Sequence, residues 1–361
     1  MGSDHGTPFE LSIIIPSYNS ARWLTSTLSA LQVALSKTAW RAEVIVVDDG
    51  STDDSVAVIA ALVPEYTYPL RVVSQSNQGR FLARWTGLQE SQGSNVLLLD
   101  SRVLLAPDSL HHIAQVQRDN PSETVWNGHA VTDPTSSLVG HFWEVPIHIF
   151  WGGYLAHPRP TQLTLQNYNT LPKGTGVFLA PRELLIAACE HSWPVGDAAL
   201  ASDDTKVLRF IAEAQPIRLD PGFMAIYRPR TTVKAFISHS FGRGTFLVDS
   251  FGGTSWPWNL ALAVSAVAPV VILATLVFLV AVNQILLAAG FIVFCVLLLV
   301  APAAAAAARR CPARGIQSYF LYAAVFIFPY WIGLVRGLKV HGTKLLSVQR
   351  TLATTGGTQA K

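Results

Sequence analysis

Charge is what this sequence has least of: Lys, Arg, Asp and Glu together make up 14% of its 361 residues, and the formal net charge is only +3. So slight a positive balance gives no reason to look for a polyanion, and no nucleic-acid partner is expected. Cysteine is scarce as well. Cys189, Cys295 and Cys311 show no metal-ligand spacing, which excludes a disulfide framework or zinc site and fits a reducing compartment. The opening residues, MGSDHGTPFE, contain no basic stretch leading into an apolar one. No export signal is predicted there, and the globular part is expected on the cytoplasmic side.

What fills the sequence instead is apolar: half of all residues, unevenly spread. Residues 1–236 have the mixture of a globular α/β domain, 237–258 read as a juxtamembrane segment, 259–340 as a transmembrane region of two or three helices, and 341–361 as a basic tail. Within the globular part, VIVV at 44–47 is a continuous β-branched run without polar alternation. That is the signature of a strand covered on both faces. The run stops at Asp48, Asp49 and Gly50, placing carboxylates at the strand's carboxyl end, where open α/β sheets bind ligands. LSIIIP at 11–16 and VLLL at 96–99 repeat the pattern, the second ending on Asp100. Between them the spacing predicts helices over 21–36, 55–62 and from about 80, a βα repeat. Residues 120–173 show no period and are expected to be irregular. Beyond them, GTGVFLAP at 174–181 predicts a strand, with helices over 182–190 and 206–214.

Five motifs in this order carry a family resemblance: SIIIPSYN at 12–19, VIVVDDGSTDDS at 44–55, NQGRFLAR at 77–84, VLLLDSR at 96–102 and SDDTKVLRF at 202–210. Together they resemble the family 2 glycosyltransferases. The resemblance implies a GT-A nucleotide-sugar-binding domain, Rossmann-like with a mostly parallel sheet, followed by C-terminal transmembrane helices. It further implies that Pro16, Tyr18 and Asp49 contact the base and that Arg80 or Arg84 lies near the nucleotide. The chemistry agrees, because a carboxylate accepts an imide N–H, a phenol ring stacks, and a guanidinium forks onto phosphate.

Asp100-Ser101-Arg102 stands where the family carries its DxD motif, whose carboxylates usually hold ribose and a divalent metal. Two arrangements follow: Asp100 still holds Mg²⁺ or Mn²⁺ with ligands from elsewhere, or Arg102 replaces part of the metal's charge against the departing diphosphate. Asp203-Asp204 resembles the family's acidic pair, and Asp204 is the expected base, taking the acceptor's proton in an inverting transfer. Capping of the helix that follows is the plainer role for both aspartates. His239 to Gly244, HSFGRG, resembles the segment where related enzymes place a phosphate-gripping arginine or a metal-ligand histidine, making Arg243 and His239 candidates. A Gly- and Arg-rich surface loop would account for it too. Lys173-Gly174-Thr175-Gly176 could hold donor or acceptor oxygens, or form a β-turn.

Residues 260–282 and 285–308 are each long enough, at about 1.5 Å per residue, to cross a hydrocarbon core of about 30 Å. Asn283-Gln284 links them as a hairpin, and Arg309, Arg310 and Arg314 mark the cytoplasmic return. A third apolar segment, 319–338, has Pro329 in its middle. It crosses as a third helix, or it is broken or re-entrant, keeping the basic tail inside. The whole implies an integral membrane, hexosyl-transferring enzyme taking a nucleotide sugar, a UDP-sugar first, and a lipid-linked acceptor of the cell envelope. The alternatives are a polyprenyl-phosphate glycosyltransferase, in which lipid phosphate attacks, and an inactive membrane-anchored binding protein.

Overall fold

The computed structural model describes residues 9–194, 198–200 and 204–342. The chain divides into two compact units: residues up to 136 with 153–229, and residues 137–152 with the chain from 230 onward. The sequence boundary at 236 thus falls inside the second unit, which also takes in part of the 120–173 stretch.

In the first unit, β1 (Leu11–Ser17), α1 (Ala21–Ser36), β2 (Ala42–Asp49), α2 (Ser55–Leu62), β3 (Leu70–Gln75), α3 (Arg80–Glu90) and β4 (Asn95–Leu99) alternate as the sequence pattern requires. Every residue of β1 and β2 is buried, the reason their sequences carry no alternation. β5 (Val103–Leu105), α4 (Ser109–Asp119), β6 (Trp126–Thr132), α5 (Glu144–Leu155), β7 (Thr161–Leu163), β8 (Val177–Pro181), α6 (Arg182–His191), α7 (Thr205–Ala214) and β9 (Ile217–Tyr227) follow. The strands join in the order β3-β2-β1-β4-β8-β6-β9-β5, with β7 on β9. One face packs on α1, α2 and α4 through Leu24, Leu28, Ile59 and Ile113. The other packs on α3, α6 and α7 through Phe81, Leu88, Leu185 and Leu208.

The expectation of a mostly parallel sheet needs correction. β3-β2-β1-β4 is parallel, but β4–β8, β8–β6, β9–β5 and β9–β7 pair antiparallel, so the sheet is mixed. Nor is 120–173 irregular, since β6, α5 and β7 lie in it. Their short, broken periods, with Gly128 opposite Val177 and a register shift after it, hid them.

β1 is the point where strand order reverses, with β2 on one side and β4 on the other. The β1–β4 ladder ends at Ile14 with Leu98, three residues before β1 itself ends. A crevice opens beyond that point at the carboxyl edge, and Pro16, which has no N–H to give a ladder, sits where none is asked on that side.

The second unit contains α8 (Val233–Phe251), α9 (Trp256–Ala281), α10 (Ile285–Ala308) and α11 (Ala313–His341). The last three are long and apolar enough to cross a membrane. α11 runs unbroken through Pro329, so the third apolar segment is one helix of about 43 Å rather than two half-helices. HSFGRG is likewise not a loop but the middle of α8. Its glycines mislead, because Gly244 serves close packing: a Cβ there would come within 2.1 Å of the Tyr330 carbonyl oxygen, and one on Gly333 within 1.9 Å of the Phe241 carbonyl. Replacing Gly244 by Val should force α8 and α11 apart, as overpacking costs about 1–3 kcal/mol or more. The readout is the thermal midpoint of the purified protein, and a Gly244→Val midpoint equal to the parent's would refute the packing.

Candidate active site

The parallel strands deliver Ser17, Asp48 and Ser74 in one row across their carboxyl ends, with Asp49 and Gln75 in the next. Gly50 follows at φ +72°, and a Cβ on it would approach the backbone nitrogen of Asn77 to 2.8 Å. Only glycine turns the chain there without strain. Asp49 faces the α3 side and is buried. Its Oδ1 accepts from the Gln78 backbone N–H (2.9 Å) and Gln75 Nε2 (2.8 Å), and its Oδ2 accepts from the Gly79 N–H (2.8 Å). Three of about four acceptor positions are therefore used by its own chain, and one remains for a donor such as a base N–H. Asp48 accepts from the Ser51 N–H with Oδ2, while its Oδ1 is buried without a partner. Tyr18, just past β1, is half exposed, and Pro16 beside it is buried.

Asn19 adopts φ +49° and locks the two loops together, its Oδ1 accepting from the N–H groups of Thr52 and Asp53. Arg80 is exposed on the first turn of α3. Arg84, one turn later, is buried, and its Nη2 donates to Asp100 Oδ1 at 2.8 Å. Asp100 also lies against the 173–176 loop: its N–H donates to the Gly176 carbonyl (2.8 Å), and a Cβ on Gly176 would meet Asp100 Oδ2 at 3.1 Å.

These donors suit a divalent cation poorly. Asp100 already receives a guanidinium, position 102 is a cation, and His239 belongs to the other unit. Among the described residues, no three His, Cys, Asp or Glu side chains converge. Asp203 lies outside the described residues.

Asp204 precedes the first residue of α7 and accepts from the Thr205 hydroxyl (3.1 Å). It lies within electrostatic range of Lys173 and Tyr168. Lys173 is 4.3 Å over the Tyr168 ring, and Arg209 is 5.0 Å from the same ring. Burial pulls the Lys173 ammonium down to about 8; Asp204 opposes that shift and Arg209 adds to it. The loops meet at Gly79, φ +89°, where a Cβ would stand 2.7 Å from Ala199 Cα, five residues before Asp204. Ala199 thus rests on the loop that Asp49 holds, and Lys173, in the loop that touches Asp100, lies within electrostatic range of Asp204.

Arg102 turns toward α1, its guanidinium 5.1 Å from the Trp23 ring, and donates to the Pro229 carbonyl (3.3 Å). In the second unit Arg243 donates to His239 Nε2 (3.2 Å), and both rest against Trp143. Trp23, Arg22 and Arg228 went unnoticed in the sequence. The available signal was the Arg22-Trp23 pair two residues past the Ser20 cap, large side chains on the first turn of the helix.

Glycosyl transferase family 2 matches residues 12–178. An uncharacterized glycosyltransferase of Nostoc sp. is 34% identical over 107 residues, 30% of this chain and 32% of that protein. An undecaprenyl-phosphate 4-deoxy-4-formamido-L-arabinose transferase of Pseudomonas syringae is 27% identical over 127 residues, 32% of this chain and 38% of the relative. Chondroitin synthase of Escherichia coli is 27% identical over 139 residues, 38% of this chain and 20% of the synthase. The chain therefore spans about a fifth to two fifths of the length of these relatives. Among solved structures, S. aureus TarS 1-349 in complex with UDP-GlcNAc superposes with a TM-score of 0.46 at 18% identity, covering 66% of this chain and 67% of that one. With the motif order and the family match in agreement, residues 12–178 are a glycosyl transferase family 2 domain, and three helices long and apolar enough to cross a membrane follow it in the same chain.

Proposed function

We propose that this protein moves a sugar, with inversion, from a nucleotide sugar to a lipid-linked acceptor at the cytoplasmic face of a membrane. One observation carries the reading: Asp49 and Asp100 leave β2 and β4, the two parallel strands that flank β1, at the same edge, and Ala199, five positions before Asp204, packs onto the loop that Asp49 holds. In this reading Asp49 has one acceptor position for the base, a UDP-sugar being favoured, and Tyr18 offers its exposed ring for stacking. Asp204 takes the proton of the acceptor hydroxyl as its oxygen attacks C1, and the nucleoside diphosphate leaves from the opposite face. Apolar helices in the same chain support a lipid-borne acceptor, because they hold the enzyme at the surface where such an acceptor resides.

A second reading makes the lipid phosphate itself the nucleophile. It is favoured by the likeness to the undecaprenyl-phosphate transferase. Supplying polyprenyl phosphate and glycolipid acceptors separately decides between the two.

In purified full-length protein, Asp204→Asn should lower kcat for transfer by about 10²–10⁴ while nucleoside diphosphate binding persists, the range for losing a general base. Parent-like transfer by that variant, or a parent that binds no nucleoside diphosphate, refutes the proposal. Lys173 supplies a pH test. Its positive charge is present below pH 8 and is lost as pH rises through about 8. A carboxylate that loses a neighbouring cation holds a proton more tightly and is the stronger base. The transfer rate should therefore climb between pH 7 and 9 in the parent, with the range set by the group's titration, and stay flat in Lys173→Met; identical profiles would remove Lys173 from the site.

A further inference from the structure

Trp23, on the first turn of α1, is surrounded by three guanidiniums: Arg22 at 4.3 Å from the ring centre, Arg228 at 4.8 Å and Arg102 at 5.1 Å. Each comes from a different part of the chain, namely α1, the end of β9 and the turn after Asp100. No carboxylate forms an ion pair with any of them among the described residues; Asp100 acts on Arg102, and Asp133 on Arg228, only at longer range. Three like charges gathered on one indole repel, and a cation–π contact returns only about 0.5–2 kcal/mol. Burial pulls the proton affinity of Arg102 and Arg228 down, the expected sign where charges lack counter-charges. Such a cluster destabilises the fold unless an anion completes it.

The donors divide into two groups. Arg228 is consumed by the protein: Nε donates to the Arg102 carbonyl (3.2 Å), Nη2 to the Trp23 and Ser101 carbonyls (3.3 Å each), and the side chain also bonds Ser26 and Thr27. It fixes the turn that carries Arg102. Arg102, by contrast, has a buried Nε without a partner, donates through Nη2 to one carbonyl and is otherwise hydrogen-bonded only to the Tyr227 side chain. Arg22 is exposed with only the ring contact. Free donors from two guanidiniums, held beside Asp100 at the carboxyl edge of the sheet, match the oxygens of a phosphate.

We infer that Arg22 and Arg102, set on Trp23 and braced by Arg228, form a subsite for a phosphate or diphosphate group. The inference deepens the transferase reading and rests on it for the source of that group, the leaving diphosphate of the donor or a phosphate on the lipid acceptor. Arg22 and Arg102 contact the anion, and Arg228 is a positioning residue.

Full-length protein, Arg22→Gln and Arg102→Gln are titrated with uridine diphosphate, uridine, farnesyl phosphate and farnesol. Loss of one charge-assisted contact should weaken a phosphate ligand about tenfold or more. A drop for uridine diphosphate with uridine unchanged assigns the subsite to the donor; a drop for farnesyl phosphate with farnesol unchanged assigns it to the acceptor. Arg22 is exposed, so its variant reports binding without a folding defect. Variants equal to the parent in every arm overturn the subsite and leave the transferase reading standing, provided the parent binds uridine diphosphate. A parent that binds farnesyl phosphate in an arginine-dependent way, yet no uridine diphosphate, keeps the subsite and loses the transferase reading. A parent that binds neither phosphate ligand overturns both.

Discussion

The geometry of the candidate site depends on one buried carboxylate, Asp49. Its three hydrogen bonds go to a single stretch, Gln75 to Gly79, and two of them satisfy backbone N–H groups at the entry to α3. Bonds to a charged acceptor contribute about 1.5–3 kcal/mol each, so the end of β2 and the start of α3 behave as one piece. The consequence travels along the helix. One turn on, Arg84 reaches Asp100 at the end of β4, two strands away in the sheet order. Ala199 rests on Gly79. α3 is thus the strut by which one strand end sets the position of the next.

The parallel half of the sheet was legible because burial on both faces writes a continuous β-branched run, and the βα repeat orders those runs. Helices α1, α2, α6 and α7 were legible within a residue or so at each end for the same reason, an apolar stripe closed by a cap or a break. The antiparallel half was not. β5 and β7 have three residues each, too few to show any period, and β9 gains its place by pairing with strands distant in sequence. The carboxylates were legible as candidates, since strand ends announce themselves. Their partners were not, because Arg84 reads as one more polar residue on a helix until the fold buries it. For HSFGRG the surface-loop alternative gives way to a helix, in which Gly244 is a spacer.

At this edge Asp49 and Asp100 are compensated within the chain, and the guanidiniums around Trp23 have no carboxylate paired with them among the described residues. Asp49 is held by three donors and Asp100 by Arg84, while the guanidiniums around Trp23 face only neutral oxygens and the ring. The proposed donor, which carries two phosphates, would bring the charge the edge lacks. The Arg at position 102, which breaks the DxD pattern, therefore need not mean lost function. On the proposed reading it would move the counter-charge for a leaving diphosphate from a coordinated ion toward a fixed side chain, and a fixed charge needs no reorganisation as negative charge develops.

The helices of the second unit divide by what covers them. α9 and α10 expose apolar side chains nearly all round; Leu286, for example, is 85% exposed. Surface of that kind is stable only against lipid or further protein, and a helix without a polar face has no other use for water's side. α11 is less apolar because one side is given to α8, where Gly333 and Gly337 allow backbone approach, the Thr245 hydroxyl donates to the Gly333 carbonyl at 3.0 Å, and Ser318 and His341 are buried. Its mixed composition is the mark of a helix that packs on protein along one stripe and presents the rest outward. Close approach through glycine and a hydroxyl is the association available to helices in lipid, where burying apolar side chains gains little. The same substitution pattern that weakens α11 as a hydrophobic span is what fastens it to α8.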